Sequence, residues 1–202
     1  VVQYDLPANG FDPMQCTLEP SFFCDKYGFQ GRLDLLQLAE DRNRIIELKS
    51  GKTPFPQDNV SKIAVNHEAQ TVVYRLMIQS VFGTDSRTSF PYILYSSADE
   101  PNTNLRFVAE YKHLQKEIIN TRNLILVAEH SLYNGNTETV ATLFDNLFDL
   151  GNGNVPSFFS SKLNDIKKVL DAMSEVERLY FYRYINFVSR ELYLLKTGDD
   201  SF

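Results

Sequence analysis

The sequence predicts an α/β (α+β) architecture, a mixed central sheet flanked by helices and followed by a helical C-terminal extension. Three observations predict it. Strand-like patterning dominates the first third of the chain. A helical period occupies 61–82 and then everything from about 109 onward. A further strand-like run, 91–96, lies between those two helical stretches. At 202 residues the chain is long enough for one domain, or one with an appendage, and needs neither disulfides nor metal to fold.

The elements follow in order. Residues 16–24 (CTLEPSFFC) and 29–38 (FQGRLDLLQL) read as strands around a turn at Asp25-Lys26-Tyr27-Gly28, and 43–49 (NRIIELK) reads as a third, closed by Ser50-Gly51-Lys52-Thr53-Pro54. A helix is expected over 61–82, where Ile63, His67, Gln70 and Tyr74 recur at three- and four-residue steps and Gly83 follows the last turn. Strands follow at 91–96 and 105–108. Helices are then expected at 110–132, near 137–148, and, beyond a Gly/Asn/Pro linker at 151–156, near 159–171 and 175–195. Ser174 and Glu177 form an S-x-x-E capping box ahead of the last helix.

Composition narrows the function. Twenty-six Asp and Glu against 20 Lys and Arg give a net charge of −6, which argues against a protein that coats nucleic acid non-specifically. Over residues 25–52, however, six basic residues face five acidic ones. The opening VVQYDLPANG lacks the basic-then-apolar order of a signal peptide, and no run approaches a membrane span. Two cysteines, Cys16 and Cys24, are too few for a disulfide framework, so a reduced, cytoplasmic (intracellular) setting is expected. The non-Met start and the abrupt end at LLKTGDDSF suggest a piece excised from a longer protein.

The chemistry concentrates in 28–52. Alternation along 29–38 places Arg32, Asp34 and Leu36 on one face and Phe29, Gly31, Leu33 and Leu35 on the other; Ile45, Glu47 and Lys49 share a face of the next strand. A hairpin centred on Glu40-Asp41 sets Asp34 opposite Glu47, and like charges so paired destabilise a sheet unless a cation lies between them. Two carboxylates beside a lysine suit a Mg²⁺- or Mn²⁺-dependent phosphodiesterase: hard oxygen ligands select such ions, and the ammonium orients water or balances phosphate charge. A surface hairpin with ordinary ion pairs is the competing reading of D-x(n)-E-x-K alone.

The following helix adds Gln70 and Tyr74, i,i+4 neighbours on one face. The ordered set Gly31-Arg32-Leu33-Asp34, Glu47-Leu48-Lys49-Ser50-Gly51-Lys52, then His67-Glu68-Ala69-Gln70 and Tyr74 resembles the RecB-like branch of the PD-(D/E)xK nucleases. It is most similar to the nuclease domain of DNA helicase–nucleases that trim flaps and resect ends, and Arg122-Asn123 resembles that family's R-N. The resemblance covers about residues 15–130. It implies a restriction-endonuclease-like core over 1–130 and a helical extension packed on it over 131–202. Asp34 and Glu47 would bind Mg²⁺ or Mn²⁺, with the Leu48 carbonyl a further ligand. Lys49 would be the catalytic lysine, with Gln70 and Tyr74 completing the catalytic set; Gln70, Tyr74, Lys52 and His67 would contact DNA. The implied partners are single-stranded or flap DNA and a helicase domain of the same polypeptide, with no membrane; the implied roles are DNA repair and replication. The alternative is a catalytically inactive nuclease-like fold that guides DNA or braces a helicase.

Two departures qualify the match. No His precedes His67, so the upstream His ligand is absent, replaced or outside the chain; Glu19 stands where the family places an acidic residue, and an exposed strand-edge charge explains it equally well. Both cysteines precede Asp34, so no iron–sulfur cluster is expected. His67 is expected either to contact substrate or to hydrogen-bond across the helix–sheet interface. Lys162, Lys167, Lys168 and Arg178 could form a DNA path or a solvated helix face. The aromatic last helix (Tyr180, Phe181, Tyr182, Tyr184, Phe187) is expected to be buried on more than one side, or to dock one face on a helicase module.

Overall fold

The structure, a computed structural model, describes residues 3–39, 42–84, 87–98, 103–153 and 155–198. The chain divides into two compact units, Val1–Asn120 and Thr121–Phe202.

The first unit opens with a short helix, Asp5–Ala8 (α1), and a single 3-10 turn at Pro13–Gln15, neither of which has a sequence period long enough to announce it. Strands Cys16–Leu18 (β1), Leu35–Leu38 (β4), Asn43–Lys49 (β5), Ser89–Tyr95 (β6) and Leu105–Phe107 (β7) form a five-stranded sheet in the order β1-β4-β5-β6-β7. All its pairings are antiparallel except β5 with β6, which helix Val65–Phe82 (α2) connects. Strands Ser21–Cys24 (β2) and Phe29–Arg32 (β3) form a separate hairpin around the expected 25–28 turn.

The predicted strands 16–24 and 29–38 are therefore each broken in two. The first breaks at Glu19-Pro20, where Glu19 takes a left-handed φ of 49°, and the second at Leu33-Asp34. The two breaks are bonded to each other: the Glu19 amide donates to the Asp34 carbonyl (3.0 Å) and the Leu33 amide to the Pro20 carbonyl (3.0 Å). Alternation is lost at the break, so Leu33 and Leu35 do not share a face. Leu33 packs with Leu36, Ile45, Met77 and Ile78 under α2, whereas Leu35 packs with Leu6, Phe11, Ile46 and Leu94 on the opposite face. A sheet covered on both faces explains why Leu35-Leu36 and Ile45-Ile46 are apolar without alternation.

Helix α2 begins at Val65, four residues later than the period suggests. Ala64 is extended (φ −69°, ψ 134°), and the Lys62 carbonyl is taken by Arg106 rather than by a helical amide. It ends as expected, with Gly83 left-handed at the C-cap.

In the second unit, helix Lys112–Asn134 (α3) enters from the first, followed by Thr137–Gly151 (α4), Ser157–Ala172 (α5) and Glu175–Thr197 (α6). The Ser174–Glu177 capping box forms, and a second box, Asn136–Thr139, starts α4. Asn186 donates to the carbonyls of Leu132 (2.9 Å) and Gly135 (3.1 Å), and Arg190 to those of Tyr133 (3.1 Å) and Gly135 (2.9 Å), satisfying backbone at and just beyond the end of α3. The aromatics of α6 divide: Phe181 and Tyr182 meet Phe144, while Tyr180, Tyr184 and Phe187 are exposed, so burial on more than one side is not found. The basic cluster is engaged locally. Lys168 pairs with Asp165 (3.1 Å), Arg178 donates to the Leu170 carbonyl (2.9 Å), and Lys162 and Lys167 lie over the rings of Phe158 and Phe148. No helix among the described residues is long and apolar enough to cross a membrane.

Candidate active site

The break at Leu33-Asp34 decides where the first carboxylate goes. The β4–β5 register pairs Leu35 with Ile46, so Asp34 lies one step beyond the ladder, level with Glu47. The hairpin centre expected at Glu40-Asp41 lies outside the described residues. Free of the strand, Asp34 turns its side chain onto the next strand, and its Oδ2 accepts the Leu48 amide at 2.7 Å.

Glu47 faces α2 from β5 and is 4% exposed. Its Oε1 accepts from Lys49 Nζ (2.7 Å), while its Oε2 is buried with no hydrogen-bond partner. Burial pushes the Glu47 carboxyl above the usual carboxylate range; the Lys49 ammonium opposes that, and the nearby Asp34 carboxylate adds to it. A buried carboxylate oxygen left without a donor is costly in a finished core and useful where a cation is to be held.

A chain of hydrogen bonds continues from Lys49. Its Nζ donates to Gln70 Oε1 (2.9 Å), Gln70 Nε2 donates to the Tyr74 hydroxyl (3.0 Å), and that hydroxyl donates to the Arg32 carbonyl (3.0 Å). The i,i+4 pair on α2 thus ties the lysine to the strand that leads into Asp34. Gly31 permits the close approach: a Cβ there would lie 3.1 Å from the Tyr74 ring and 3.5 Å from the Met77 methyl. Burial raises the Tyr74 hydroxyl pKa, the Glu47 and Asp34 carboxylates add to the rise, and the Gln70 bond works against it.

His67, one turn before Gln70, bonds through Nδ1 to the Tyr95 hydroxyl (3.0 Å), across the helix–sheet interface. Burial and, secondarily, the nearby Lys49 ammonium lower its pKa. Tyr95 is 1% exposed and pairs with Lys49 in the parallel register, a neighbour that only the β5–β6 pairing reveals. The Tyr95 ring also carries the Arg106 guanidinium over its face. The signal available in sequence was an aromatic strand end at PYILY; its partnership with His67 was not.

Lys52 is exposed on the loop after β5. Glu19 points its carboxylate at Arg32 (3.3 Å), both side chains being largely exposed. Among the described residues no group of three or more His, Cys, Asp and Glu side chains converges. The structure thus brings together as a candidate site Asp34, Glu47 and Lys49, with Gln70 bonded to Lys49 and to Tyr74, and with His67 at its edge. The donor set fits a hard divalent cation: two carboxylates, one with an unpartnered buried oxygen, beside the Leu48 backbone. A family model described as the PD-(D/E)XK nuclease superfamily matches residues 3–175. No curated protein matches the chain.

Proposed function

The chain belongs to the PD-(D/E)XK nuclease superfamily, its mixed sheet flanked by helices is the restriction-endonuclease-like fold, and on that footing we propose that it is a Mg²⁺- or Mn²⁺-dependent deoxyribonuclease domain of the RecB-like branch. Its substrate is single-stranded DNA or a flap, its parent a DNA helicase–nuclease of repair or replication, and 131–202 the helical extension of its 1–130 core. The observation that carries the reading is the buried, unpartnered Oε2 of Glu47, beside Asp34 and on the carboxylate that Lys49 engages.

Asp34, Glu47 and the Leu48 carbonyl are the residues that would hold the cation. The chemistry a divalent ion supplies in such a site is a lowered pKa for attacking water and polarisation of a phosphate oxygen. The protein's own part is positional. Lys49, fixed between Glu47 and Gln70, offers a third ammonium proton to an attacking water or a phosphate oxygen. Gln70 and Tyr74 hold that ammonium in place from α2, and the Asp34–Leu48 bond fixes the aspartate against β5.

The test is degradation of labelled single-stranded DNA in Mn²⁺ by the wild type, Asp34→Ala and Lys49→Ala. Loss on the order of a hundred-fold or more in both variants is expected, the scale of removing one preorganised electrostatic group. Equal activity in all three overturns the assignment. DNA binding without metal-stimulated cleavage by the wild type marks the guiding or bracing module instead.

A further inference from the structure

The loop between β5 and α2, residues 50–64, starts next to Lys49 and ends one turn before His67. It emerges at the carboxyl ends of the parallel pair β5 and β6, the side on which open α/β sheets bind their ligands. Its backbone is anchored at both ends. Ser96 donates its amide to the Lys49 carbonyl (2.8 Å) and Ser97 its hydroxyl to the Ser50 carbonyl (2.6 Å). The fully buried Arg106 donates to the carbonyls of Gln57 (2.8 Å) and Lys62. Between the anchors, Thr53 is buried and the Asn59 amide closes a turn on the Pro56 carbonyl (3.2 Å). Phe55 nevertheless stands 87% exposed, the most exposed aromatic ring among the described residues, with Pro54 and Pro56 on either side and exposed Lys52 three residues before it. An anchored loop that begins next to Lys49 and holds a phenyl ring out into water presents the flat apolar face on which an unpaired base stacks.

We propose that Phe55 is a substrate-positioning residue that stacks on an unpaired base and seats the adjoining phosphate toward Asp34, Glu47 and Lys49. The proposal rests on the nuclease reading above and adds a selectivity to it: duplex DNA, whose bases already stack on one another, has no free face to offer. Lys52 supplies a charge for the backbone of the same strand.

The chain contains no tryptophan, so Phe55→Trp introduces one tryptophan at the proposed contact, whose emission is excited apart from that of the tyrosines. Binding is followed in EDTA and again in Ca²⁺, using a labelled pyrimidine oligonucleotide and a matched strand that is abasic throughout. The expected result is quenching of the Phe55→Trp emission by the base-bearing strand and not by the abasic one. Phe55→Ala and Phe55→Leu should weaken binding of the base-bearing strand roughly 5- to 150-fold, the range of one lost base–aromatic stack, and leave the abasic strand unaffected. Because the ring is exposed, both variants should keep the wild-type melting temperature. Unquenched Trp emission on a strand that demonstrably binds overturns the stacking role and leaves the nuclease reading intact. Equal losses for abasic and base-bearing strands overturn it as well. Failure of the wild type to bind either strand overturns both.

Discussion

The environment of Glu47 works against folding of its charged form. Its raised pKa means that, between the ordinary carboxylate value and the raised one, the folded protein holds more protons than the unfolded chain. Stability therefore falls as pH rises through that window, and the deficit persists above it. Glu47→Gln keeps the oxygen that accepts from Lys49 and removes the buried charge. We expect this variant to melt higher than the wild type at neutral pH, to show no stability slope across that window, and to lose cleavage. It should also lose the gain from metal, which in the wild type is about 2.7 kcal/mol at a hundred-fold excess of Mn²⁺ over its Kd. Thermal melts with and without Mn²⁺ over a pH series check all of this, and a lower neutral-pH melt for the variant contradicts it. Glu47, Lys49, Gln70 and Tyr74 lie where strand alternation and a helical i,i+4 step, both local rules, put them, whereas Asp34 reaches the level of Glu47 only through the break at Leu33-Asp34. Tyr95 was not legible in the sequence, because its bond to His67 exists only once β6 lies parallel to β5.

At the scale of elements, Arg106 on β7 holds the loop that joins β5 to α2. Hydrogen bonds to a charged donor are worth about 1.5–3 kcal/mol each net, so Arg106→Leu should destabilise the protein by about 3 kcal/mol. The loss should be local first: limited proteolysis should cut within 52–62 well before the sheet unfolds. Uniform cleavage across the chain would contradict this. The same guanidinium explains why α2 starts at Val65 rather than 61, since the Lys62 carbonyl is already engaged. Long periodic segments were read well: α2 at its C-terminal end, the α3–α6 series, and the Ser174–Glu177 box. The strand breaks were not, because 29–35 alternates without interruption across Leu33-Asp34 and a Glu in a left-handed conformation at position 19 has no sequence signature. Helix α1 is too short to show a period.

For the whole molecule, the net charge of −6 and the near balance of charge over 25–52 limit how much binding can come from phosphate neutralisation. Single-strand affinity should fall with salt at a log–log slope on the order of −2, the release expected for about three phosphate contacts. A slope steeper than about −5 would require an extended basic track, for which Lys162, Lys167, Lys168 and Arg178 are the candidate contacts. Affinity at physiological salt should instead rest on the metal-charged centre and on the ring of Phe55.

The way the two carboxylates are already engaged would favour one oxygen from each as ligand to a bound cation. Asp34 Oδ2 accepts the Leu48 amide and Glu47 Oε1 accepts the Lys49 ammonium, so in each carboxylate the other oxygen is the one without that bond. Monodentate ligands leave room for several waters in a tight octahedral shell, the coordination that Mg²⁺ and Mn²⁺ accept. Ca²⁺ gains most from bidentate carboxylates in a larger, more crowded shell. On the proposed function, those two hydrogen bonds would favour Mg²⁺ or Mn²⁺ over Ca²⁺ at this centre.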